Sequence, residues 1–84
     1  MKTSSLAKAY QQMIDWNVYR LDQNKESYQK LVELLPTLTI DENADAVLQA
    51  DVDDMESLRL IYETAIRNFE GKIQKYEELL SALE

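Results

Sequence analysis

The chain has 84 residues, a formal net charge of −7, and neither cysteine nor histidine. Disulfides and thiolate metal sites are excluded, as are imidazole ligation and imidazole acid/base chemistry. One Gly and one Pro leave few places to turn, which points to two or three long helices and away from a multi-stranded sheet.

A chain this short has little interior, so helix packing or self-association is the expected source of stability once disulfides and metals are gone. Apolar residues make up 45 % and charged residues 30 %, which fits a folded helical protein rather than a disordered one. No apolar run approaches the roughly 18–20 residues of a membrane span. Met1-Lys2-Thr3-Ser4-Ser5 leads into a polar helix rather than the apolar core of a secretory signal. The expectation is a cytoplasmic protein with no membrane contact.

In chain order, Ser4 or Ser5 is the candidate N-cap of a first helix. Ala7, Ile14, Leu21, Tyr28 and Leu35 then recur every seven residues, with Tyr10, Asn17, Asn24 and Leu31 three after the first four. This periodicity predicts an amphipathic helix over about residues 5–35, roughly 45 Å long. Glu26 and Lys30 form a well-oriented i,i+4 pair. Asn17 and Asn24 interrupt the seam. Either the stripe drifts with the 3.6 period and both point partly to solvent, or they pair across a helix interface and fix its register. Trp16 and Tyr19 fall outside the seam. An off-seam Trp is either tucked against a further helix or second subunit, or exposed as a binding hot spot.

Pro36 ends this helix, because its ring cannot continue the hydrogen-bond ladder and restricts Leu35. Thr37-Leu38-Thr39-Ile40 reads as an extended connector. Thr39 with Glu42 fits a capping box, and Asp41 is an alternative N-cap. An acidic connector or short helix is expected over about residues 37–53. Asp53 followed by Glu56 is a second capping signal, favouring a new helix from about 54 to 83. The heptad column instead favours a single continuous helix, since Leu48 and Val52 already keep the phase of Met55 and Leu58.

The last third carries the clearest pattern. Leu48, Met55, Tyr62, Phe69, Tyr76 and Leu83 fall seven residues apart. Leu58, Ala65 and Leu79 sit three after members of that column, and Val52, Ile66, Ile73 and Leu80 one further on. The stripe is wider than a two-stranded seam and typical of a helix in a bundle. Glu63 and Arg67 form another i,i+4 pair. Tyr10, Tyr28, Tyr62 and Tyr76 lie on the stripes and are read as core residues with hydroxyls at the rim.

Charge is unevenly placed. Residues 1–40 carry five Lys/Arg against four Asp/Glu, and residues 57–84 carry four against five. Between them, Asp41, Glu42, Asp45, Asp51, Asp53, Asp54 and Glu56 meet no basic residue. The plain reading is a solvated, helix-starting segment stabilised by the dipole. The functional reading is a docking surface for a basic partner, whose encounter the local field would speed. Neither Asp41 nor Asp51 opens a loop with the Gly and Glu that a calcium-binding EF-hand requires, so no metal or cofactor is expected. Direct nucleic-acid binding is not expected either, because phosphates require Lys/Arg. No nucleophile–base pair or glycine-rich phosphate loop is present, so no catalytic residue is assigned and the chain is read as not an enzyme.

These observations predict an all-α chain, a single helical domain over 1–84. The two long helices form an antiparallel hairpin, with or without a short third helix between them, packing as a dimeric four-helix bundle. The outline, a small cysteine-free helical hairpin with an acidic turn region, resembles secretion-system chaperones and substrates and phage-encoded inhibitors of host proteins, in architecture only. The functional expectation is a non-enzymatic helical interaction module, of adaptor, chaperone or assembly type, working through its amphipathic faces as a homodimer or on a protein partner. The alternative is an acidic inhibitor occupying a basic, nucleic-acid-binding site. Candidate partner-binding residues are Trp16, Tyr19 and the seven carboxylates of residues 41–56.

Overall fold

The computed structural model describes the backbone of residues 2–38 and 45–83 and the side chains of 5–38 and 45–83. It is an all-helical hairpin of α1 (Lys2–Leu34) and α2 (Ala46–Ala82) packed against each other.

Helix α1 stops where Pro36 requires it. A 3₁₀ turn, Leu35–Thr37, follows with the proline in its first turn, and Leu38 is already extended. The turn closes with Leu38 N donating to the Leu35 carbonyl at 3.2 Å. The Thr37 hydroxyl donates to the Leu34 carbonyl at 2.6 Å, satisfying one of the acceptors a helix end leaves open.

Helix α2 starts at an aspartate, as N-cap statistics favour. Asp45 is extended, and its carboxylate accepts from Leu48 N at 2.7 Å. The earlier candidate caps Thr39 and Asp41 lie outside the described residues. The new helix expected from about residue 54 does not occur. α2 runs unbroken through Asp51-Val52-Asp53-Asp54, so this stretch is neither a connector nor a separate short helix. Two local bonds span the suspected break. The Gln49 amide donates to Asp53 at 3.1 Å, and the Ser57 hydroxyl to the Asp53 carbonyl at 3.2 Å. The apolar phase of Leu48, Val52, Met55 and Leu58 outweighs the low helix propensity of aspartate.

Three cross-helix contacts fix the antiparallel register. The rings of Tyr10 and Tyr76 have centroids 5.9 Å apart. The Arg20 guanidinium lies 5.7 Å from the centre of the Phe69 ring. The Tyr28 hydroxyl donates to the Glu63 carboxylate at 2.8 Å. Each step forward along α1 is therefore about one step back along α2. Leu34 lies at the level of about residue 57, and about the first three turns of α2 extend past the end of α1. Val47 on that extension is 72 % exposed.

The core is a thin line. Ile14, Leu21 and Leu31 are buried, and Asn17, 2 % exposed, is the most enclosed of the described residues. The four tyrosines assigned to the stripes are half-buried, and the hydroxyl of Tyr28 reaches the rim. The Glu26–Lys30 pair forms at 3.3 Å. The Glu63–Arg67 pair does not. Glu63 instead meets Arg59 at 4.0 Å and accepts from Tyr28, because a cross-helix phenol reaches it on that side.

The asparagines correct the seam reading in part. Asn17 does not point to solvent. Its amide donates to the Met13 carbonyl at 2.7 Å, and Asn24 donates to the Arg20 carbonyl at 2.8 Å. Both satisfy themselves four residues back on their own helix rather than across the interface.

Candidate functional site

Two surfaces hold the residues singled out from sequence, and they are separate. The acidic segment occupies the first turns of α2. Asp45, Asp51, Asp53, Asp54 and Glu56 are all exposed; Asp41 and Glu42 lie outside the described residues. Two of the five already have local roles beyond charge. Asp45 caps the helix, and Glu56 comes within 4.0 Å of Arg59. At about 100° per residue the five project all round the helix. They form a collar, not a single face.

Trp16 and Tyr19 lie near the middle of α1, each 54 % exposed. Their rings are 5.8 Å apart, and the Arg20 guanidinium lies 6.0 Å from the Trp16 ring centre. The Tyr19 hydroxyl accepts from the Gln23 amide at 2.8 Å. By the hairpin register this cluster sits opposite about residues 70–73 of α2. It is thus roughly 20 Å or more from the acidic collar, and the two cannot act as one site.

A third feature emerges only from the assembled hairpin. Arg20 from α1 and Lys72 from α2 converge on one ring, their charged atoms 5.7 and 5.6 Å from the centre of Phe69. Cations over an aromatic face are attracted by its quadrupole. Two cations on one ring also repel each other, and among the described residues neither forms an ion pair. Beside them, Leu60, Ile61, Thr64, Ala65 and Asn68 line an open groove on α2. Leu60 and Ile61 are 61 and 62 % exposed. The sequence offered a signal for this feature. Lys72 occupies a stripe position that Leu58, Ala65 and Leu79 fill elsewhere in the column.

The Tyr28–Glu63 bond marks the opposite side of the hairpin. Donation to Glu63 pushes the Tyr28 phenol above its ordinary value of 10.0, aided by desolvation. Glu63, Glu70 and Glu77 repeat every seven residues along that side. On α1, Asp15, Asp22, Glu26 and Glu33 fall within an arc of about 40°, and that arc points away from Trp16 and Arg20. Arg20 and Lys72 thus stand apart from these carboxylates, whereas Lys30 and Arg59 lie beside Glu26 and Glu63.

Among the described residues, no group of three or more carboxylates is placed to hold a metal ion. Among the described residues, no helix is long and apolar enough to cross a membrane either. No family model, curated protein or solved structure matches the chain.

Proposed function

We propose that this chain is a non-enzymatic helical interaction module that works by covering its half-exposed apolar flanks with another helix. One observation carries the reading. α2 bears the longest apolar column in the sequence, yet no residue of α2 is buried. Leu58, Leu60, Ile61 and Leu79 stand among the exposed large hydrophobics. Such a stripe is worth about 25 cal/mol per Å² of apolar surface once covered, and two helices alone do not cover it. A second copy completing a dimeric four-helix bundle is one complement. A helical segment of another protein is the other.

Sedimentation equilibrium with Trp16 fluorescence tests the reading. A stripe-mediated complex, with itself or with a partner, persists at about 0.5 M salt, where screening acts within roughly 4–5 Å. A chain that stays monomeric and captures no helical partner through these flanks defeats it.

The acidic-inhibitor reading draws on a different observation, the exposed carboxylates of the α2 collar, among which no basic residue intervenes. Their spread around the helix suits long-range steering of a basic partner more than a shaped contact. Charge reversal at Asp51, Asp53 and Asp54 weakens partner binding under this reading and leaves it unchanged under the first.

A further inference from the structure

We infer that the Arg20–Phe69–Lys72 side of the hairpin docks an amphipathic helix with acidic flanks, a carboxylate of which completes the paired cations. The inference rests on the interaction-module reading and adds the face and the partner's chemistry.

The cross-helix contacts place both cations on the same side. Arg20 on α1 and Lys72 on α2 lie over one Phe69 ring, so the flanks that carry them are neighbours. On α1 this flank runs through Met13, Trp16 and Arg20, at steps of three and four residues. On α2 it runs through Ile61, Ala65, Asn68 and Lys72 and includes the open groove. Continued by the same steps over residues 6–34 and 57–82, it meets no carboxylate; the next step back along α2 reaches Asp54, at the far end of the helix from Lys72. In a chain with 16 Asp/Glu against 9 Lys/Arg, a face whose charged residues over this span are all cationic, set among apolar and neutral polar side chains, is a selective feature.

Charge complementarity decides between occupants. A two-fold dimer whose axis passes through Arg20 and Lys72 would set the patch against itself. Cations would then face cations at the centre, with no carboxylate of the same face to separate them. A polybasic segment is repelled for the same reason. An amphipathic helix laid along the groove presents apolar side chains to Ile61 and Ala65. Glutamates on its edge reach Arg20 and Lys72, where a carboxylate relieves the repulsion of two cations and gains charge-assisted hydrogen bonds. Trp16, half-exposed beside Arg20, forms the rim of the same contact.

The probes are two synthetic peptides of about three heptads, identical in Leu at a and d. One has Glu at e and g, the other Lys. Binding is measured by anisotropy of labelled peptide against the full chain and against the double variant Arg20→Glu/Lys72→Glu. Both substituted residues are exposed, and circular dichroism checks the fold. Arg20→Gln/Lys72→Gln provides a milder control. The Glu peptide is expected to bind the natural chain at least tenfold more tightly than the Lys peptide. Charge reversal is expected to invert that order, and the glutamine pair to erase most of it, as close charge pairs at interfaces warrant. Equal binding of both peptides, or a preference that survives reversal, overturns the inference. If Trp16→Ala and Ile61→Ser weaken both peptides equally, the face is an interaction surface without charge selection, and the broader reading stands. A dimer that neither peptide displaces makes the second copy the occupant and overturns the inference. Binding by neither peptide to a monomeric chain overturns both readings.

Discussion

The two helices share one seam but do not contribute to it equally. Among the described residues, all four buried side chains, Ile14, Asn17, Leu21 and Leu31, belong to α1, and α2 has none. The difference lies in side-chain size and in what covers what. The residues α1 buries are compact, and its two large seam residues, Tyr10 and Tyr28, stay half-buried beside them. Along the paired length α2 offers Tyr62, Phe69 and Tyr76, which are all half-buried. A large aromatic side chain carries about 150–250 Å² of surface, more than one facing helix can enclose. α1 is therefore the covered partner and α2 the covering one. It follows that stability is held mainly by α1, while the surface left for other molecules is richest on α2.

Truncation should break this asymmetry most directly. Leu21→Ala is expected to cost about 2–5 kcal/mol, enough to unfold a hairpin this small. Leu58→Ala, at a half-covered position of α2, should cost about 1 kcal/mol. Urea denaturation followed by far-UV circular dichroism compares them, and equal losses would contradict the covered-and-covering picture.

Asn17→Leu should act in the opposite sense. The buried amide bonds only to its own helix, so an apolar replacement of similar size is expected to stabilise by about 1 kcal/mol. If the same change in Asn17 and Asn24 together alters oligomer mass or homogeneity, the pair fixes register in an assembly. An unchanged mass leaves the two residues with no such role.

Gly71 tests the outer side of α2. A Cβ built there meets nothing within 4 Å. Gly71→Ala is therefore expected to stabilise by about 1 kcal/mol through helix propensity and unfolded-state entropy. A loss in thermal midpoint would reveal a contact at that position.

Tyr28→Phe is the smallest change and carries a pH signature. The phenol's pKa is raised in the folded hairpin because it donates to Glu63. Its contribution is complete below the unfolded value near pH 10.0 and is lost as pH rises through the higher folded value. Thermal midpoints of the natural chain and Tyr28→Phe should thus converge above about pH 10. A constant gap across that range would show that the bond does not titrate with Tyr28.

Much of the architecture is legible from residue spacing. Seven-residue columns locate both helices, and Pro36 locates the end of the first. The start of α2 is harder to read, because Thr39, Asp41, Asp45 and Asp53 all resemble caps. Cap chemistry is local, while the choice among such candidates depends on how far apolar packing carries the helix back. Of the candidate site residues, Trp16 and Tyr19 stand out by falling off the seam, and the acidic run by its charge. The pairing of Arg20 with Lys72 is not legible, since the two are 52 positions apart in sequence.

The sequence by itself determined that the chain is helical, where its first helix stops and which side of each helix is apolar. These properties arise from local periodicity and from the proline ring. Only the tertiary structure decided that Asn17 is enclosed, that Glu63 serves Tyr28 and Arg59 instead of Arg67, and that Arg20 and Lys72 share Phe69. Each of those depends on the register and facing of two helices, which is set by side chains packing across the hairpin and not by neighbours along the chain.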